Sequence, residues 1–177
     1  MKVRIYVFIA LLALILTGCS LFKRGYPEMA HAITLRTAKQ FADEKGMSLV
    51  GTGGGMIDQV NRLSMYLYHS PPLKVSEARK LALYVVDRYL ENVNSDEKIR
   101  PFLNNHPFLV QDLTVYISFR YPNGSEVSPG ELAQVTISEG MFIYKTLKKF
   151  TAANGEKLLI PEKMFKETID EARELVK

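Results

Sequence analysis

The chain has 177 residues, 47% of them apolar and 24% charged, with 11 Gly, 8 Pro and one Cys. That length suits one domain, and that composition excludes wholesale disorder, collagen and coiled coil. A single cysteine excludes an internal disulfide framework and a zinc site built from several cysteines.

The N-terminus reads Met1-Lys2-Val3-Arg4, followed by an uncharged apolar run from Ile5 to Leu16 and then by Thr17, Gly18 and Cys19. A cationic start, a short apolar run and small residues are the three parts of a secretory signal peptide. As a helix, such a run spans about 18 Å at ~1.5 Å per residue, well short of a hydrocarbon core about 30 Å thick. A cleaved signal fits it better than a permanent transmembrane helix.

Leu16-Thr17-Gly18-Cys19 resembles the lipobox of bacterial lipoprotein precursors. The resemblance covers this segment alone, in its expected place after an apolar run and at the chain's one cysteine. It implies a diacylglycerol on the Cys19 sulfur, cleavage after Gly18 and often N-acylation of the new terminus. By analogy with Gram-negative sorting, Ser20 in place of Asp directs the product to the outer membrane, facing the periplasm. The expected organisation is a signal peptide over residues 1–18, a lipidated tether over 19–26 and a single domain over 27–177. In the tether, Lys23 and Arg24 either touch anionic head groups or form a solvated pair. Removing residues 1–18 takes Lys2 and Arg4 with it, and the formal net charge falls from +4 to +2. Nucleic acid is therefore not an expected partner, since phosphate binding needs a concentrated basic surface.

From Pro27 to Lys45 the sequence predicts a helix stopped by Gly46, with Ala30, Ile33, Thr37 and Phe41 on one face. Met47 to Val50 predicts a strand leading into Gly51-Thr52-Gly53-Gly54-Gly55. That run lacks both the third glycine of a dinucleotide fingerprint and the ending of a phosphate loop. It reads as a hairpin tip, bulge or insertion loop, or as a mobile loop that touches a partner or the membrane surface. Residues 61–69 alternate, with Leu63, Met65 and Leu67 on one side and Ser64, Tyr66 and Tyr68 on the other, which predicts a half-buried strand. Ser76 caps a second helix running to about Asn92, with Ala78, Leu81, Ala82, Val85 and Tyr89 inward. Residues 93–110 form a loop stiffened by two prolines.

The next strand, Leu113 to Tyr121, alternates clearly. Strands over 132–138 and 141–147 follow, joined at Glu139-Gly140. Pro161 to Val176 predicts a terminal helix with Phe165, Thr168, Ile169, Ala172 and Val176 inward. Hairpins dominate this order, so the expected fold is α+β: two layers, with a mainly antiparallel sheet of about five strands packed by helices.

No local arrangement carries chemistry. His31, His69 and His106 lack zinc-ligand spacing, so no metal or cofactor is expected. The serines lack both a nucleophile elbow and a Ser-x-x-Lys. Asp87 with Glu91, Glu167 with Glu171 and Asp170 with Glu174 read as i,i+4 pairs on solvated helix faces. Two partner-binding candidates remain. One is the loop from Ile99 to Phe108, where Arg100, Asn104, Asn105 and His106 offer polar groups while Phe102, Leu103 and Phe108 pin it to the body, facing the glycine run. The other is an outer sheet face bearing Tyr66, Tyr68, Tyr116 and Tyr144, rimmed by Arg120 and Lys145, unless the first or last helix covers it. The expected function is a lipid-anchored envelope lipoprotein acting as a non-catalytic binding or assembly module. It is held to the membrane through acyl chains on Cys19 and engages another envelope protein. An anchored hydrolase with a dispersed site and a small-ligand carrier are the alternatives.

Overall fold

The computed structural model describes residues 25–177. The signal peptide, the Leu16–Cys19 segment, Lys23 and Arg24 lie outside the described residues. The first helix, α1, spans Tyr26–Lys45, with Pro27 in its first turn, where a missing N–H costs nothing. It ends at Gly46, whose φ of 63° closes the helix in the left-handed conformation. Strands β1 (Ser48–Gly55) and β2 (Arg62–His69) form an antiparallel hairpin. Helix α2 (Val75–Asn94) then crosses over to β3 (Leu113–Phe119), which lies parallel to β2. β4 (Gln134–Ser138), β5 (Met141–Thr151) and β6 (Lys157–Thr168) follow as antiparallel neighbours, and α3 (Ile169–Glu174) ends the fold.

The fold is α+β, with one open sheet in the order β1-β2-β3-β4-β5-β6. Six strands stand where about five were expected, and the sheet is mixed because a helix separates β2 from β3. α2 packs between α1 and α3, and the helices meet the sheet on one face. The inward residues of the strands, including Leu63, Met65, Leu67, Val115, Ile117, Val135 and Phe142, are buried against the α1 and α2 residues expected to face the core. Glu139 and Gly140 join β4 to β5 with φ of 52° and 74°. Two consecutive positive φ values match the twist of a tight hairpin.

Three expectations are corrected. The run Gly51–Gly55 is not a loop: it is strand, paired residue by residue with β2, with a bulge between Leu49 and Gly51. Residues 161–168 belong to β6, and helix begins only at Ile169. There Thr168 and Glu171 form a reciprocal capping box, with Glu171 N donating to Thr168 Oγ1 and Thr168 N to Glu171 Oε2. At α2 the N-cap position is Lys74, so Ser76 lies inside the first turn.

Candidate functional site

With the helices on one face, the opposite face carries the alternate residues of the strands. Tyr66 lies opposite Tyr116, Tyr116 opposite Thr136, and Thr136 opposite Ile143. The Tyr66 and Tyr116 rings stack with centroids 4.5 Å apart and planes 6° apart, and Tyr66 is 43% exposed. Thr136 is buried low between its larger neighbours. Burial, and then the neighbouring Tyr66, raise the Tyr116 phenol above its ordinary pKa, so the Tyr116 hydroxyl stays a neutral donor at physiological pH.

One register step along, the Arg120 guanidinium lies 4.4 Å from the Tyr68 ring centroid, a cation–π contact that holds both side chains in place. Gln134 ties the strands together there. Its amide donates to Ser118 Oγ at 3.2 Å, and its carbonyl accepts from Lys145 Nζ at 3.3 Å and from Thr136 Oγ1 at 3.2 Å. Tyr68, Arg120, Gln134, Lys145 and Leu147 wall a pocket of about 160 Å³. The face as a whole offers flat aromatic surface and fixed donors, the equipment of recognition.

The structure thus brings Tyr66, Tyr68, Tyr116, Arg120 and Lys145 onto one open surface, as expected. Tyr144 does not join them. It points to the helix side, fully buried, stacks on Phe165 at 4.4 Å and donates to Glu167 Oε1 at 2.5 Å. Glu167 is in turn no solvated helix residue. It accepts two bonds from Arg79, at 2.7 and 3.0 Å, across 88 residues of sequence. Burial and the Glu167 carboxylate hold the Tyr144 phenol well above its ordinary pKa.

The second candidate lies elsewhere. Arg100, Asn104, Asn105 and His106 are exposed on a loop pinned by buried Ile99, Leu103 and Phe108. That loop bridges to Val60, just before β2, and not to the glycines themselves. It therefore sits where β2 and β3 begin, whereas Tyr68 and Arg120 lie where they end. The sequence reading passed over Gln134, although its alternation with Val135 and Ile137 marks it as outward-facing. Among the described residues, no group of three or more His, Cys, Asp or Glu could hold a metal ion. No described helix is long and apolar enough to cross a membrane. Comparison with protein-family models, curated proteins and solved structures finds no match.

Proposed function

We propose that this chain is a lipid-anchored bacterial envelope lipoprotein that acts as a non-catalytic binding or assembly module. Diacylglycerol on Cys19 fixes it to the membrane, and its open tyrosine face engages another envelope protein. The observation that carries the second half is the uncovered stack of Tyr66 on Tyr116. A sheet face with no helix over it ordinarily turns polar, and an aromatic pair held open to solvent beside Arg120 and Lys145 has the composition of an interface core with a charged rim. The first half is supported by the lipobox resemblance and by a membrane argument: two or three acyl chains anchor stably where a single one does not.

Cross-linking in intact cells followed by affinity capture from membranes tests the reading. One defined envelope protein should be recovered with the wild-type chain and lost with Tyr66→Ala/Tyr116→Ala, while capture survives substitution of Lys149 on the exposed part of β5. Equal recovery with and without the two tyrosines would remove the face from the account.

A further inference from the structure

The two edges of the sheet are built differently. β6 carries five charged residues, Pro161 and a register shift against β5, the devices by which natural sheets keep an edge from pairing with another chain. β1 also carries a bulge, between Leu49 and Gly51, but has no charge and no proline in its eight residues. It pairs with β2 on one side only, and among the described residues no strand lies along its other side. A row of backbone donors and acceptors therefore faces outward in extended conformation, and its complement is another extended backbone.

The surroundings supply places for side chains. Between α1 and β1 lies a groove of about 270 Å³ lined by His31, Thr34, Thr52 and Met56, with Thr52 Oγ1 3.4 Å from His31 Nδ1. Leu35, one helical turn beyond His31, is 42% exposed, and Val50 on β1 is 52% exposed. On the other face, a Cβ built on Gly51 would sit 3.8 Å from the Tyr66 ring. With glycine there instead, no side chain at position 51 covers the edge of the Tyr66 ring that faces β1.

We propose that the free edge of β1 binds an extended peptide segment of another protein by strand addition. The segment would place one side chain in the His31–Thr52 groove and, on the other face, a bulky apolar or aromatic one across the glycines onto Tyr66. Apolar, uncharged residues at these positions match a strand that has no charge of its own. This rests on the anchored-module reading and names its ligand. A second copy is the poorer occupant: β1 against β1 sets a strand with four glycines in eight residues against another of the same kind, which brings little side-chain surface to the groove or to Tyr66.

The test pans a phage library of random linear peptides against the full-length lipidated protein in detergent micelles. Selected peptides should be rich in β-branched and aromatic residues and should slow amide exchange over residues 48–55 but not in β6. Val50→Lys and Gly53→Lys should each weaken binding roughly tenfold or more with the melting temperature unchanged, because a Cβ at Gly53 meets only Ser64 Cβ, at 3.7 Å. A selection without binders, protection confined to other residues, or affinity indifferent to both lysines would overturn the proposal. So would sedimentation showing a dimer whose β1 amides are already protected. Acylation of Cys19 is read separately by mass, so loss of the anchor and loss of the peptide site give different results.

Discussion

At the scale of residues, the buried ion pair decides more than the surface ones. The Arg79 and Glu167 side chains are 14% and 9% exposed, and two hydrogen bonds from Arg79 and one from Tyr144 satisfy the carboxylate. Removing one partner strands a charge, which costs about 3–5 kcal/mol, whereas replacing both with apolar side chains is often neutral. Arg79→Met should therefore lose about 3–5 kcal/mol in urea unfolding, and Arg79→Met/Glu167→Met should recover most of it. Lys39 and Asp43, 76% and 62% exposed, make the contrast: Lys39→Ala should change stability by about 0.5 kcal/mol at most.

Tyrosines set the alkaline limit. Partial burial, and then the Glu44 carboxylate that accepts its hydrogen bond at 2.6 Å, push the Tyr84 phenol up to about 12, and burial raises Tyr89 and Tyr144 as well. In the unfolded chain a tyrosine ionises near ~10. The unfolded state thus releases its protons first, so this contribution is complete below about pH 10 and is lost as pH rises toward about 12. The urea midpoint should fall across that window, and fall less steeply in Tyr84→Phe. Parallel slopes for the two proteins would show that Tyr84 plays no part.

At the scale of elements, β1 is where local preference and tertiary structure disagree. Glycine is a poor strand former, yet four glycines lie in this strand, and at one of them glycine is required. A Cβ on Gly54 would come 2.4 Å from the Arg62 carbonyl oxygen, whereas one on Gly53 meets only ordinary contact. Gly54→Ala should cost about 1–3 kcal/mol, as overpacking does. Gly53→Ala should be neutral or add up to about 1 kcal/mol by restricting the unfolded chain. Thermal melts of the two variants check the difference.

The same conflict explains which elements could be read. α1, α2, β2 and β3 were legible because one face of each meets the core, and 3.6- or two-residue spacing records that directly. β6 was not, because residues 162–167 are mostly good helix formers, Glu, Lys and Met, held extended by partners far away. Phe165 lies on Tyr144, and Glu167 reaches Arg79, neither of which leaves a local pattern. The true helix start was visible in Thr168-x-x-Glu171 and was overridden by the longer apolar periodicity. The candidate site was legible in part. Alternation in β2 and β3 placed Tyr66, Tyr68 and Tyr116 together, but assigning Tyr144 to the same face required the register of β5, which single-strand alternation does not give.

At the scale of the whole molecule, the chain has a polarity along its strands. It enters the domain at Tyr26, which donates to the Ile57 carbonyl at 3.0 Å and stacks on Phe102 at 5.5 Å, at the end where β1 finishes and β2 begins. Beyond Lys145, β5 pairs with β6 alone, and that hairpin carries exposed Phe150, Leu158 and Leu159 away from the opposite end. The anchor proposed on Cys19 would set Tyr26 and Ile57 toward the bilayer and leave the tyrosine face and the hairpin turned to the surrounding compartment. Every functional step in this arrangement depends on that anchor. Intact-mass spectrometry of the protein extracted from bacterial membranes tests it most directly. The account predicts a chain that begins at Cys19 and carries diacylglycerol, with Cys19→Ser left unprocessed and unacylated; a wild-type chain with a free Cys19 thiol and residues 1–18 still attached would contradict it.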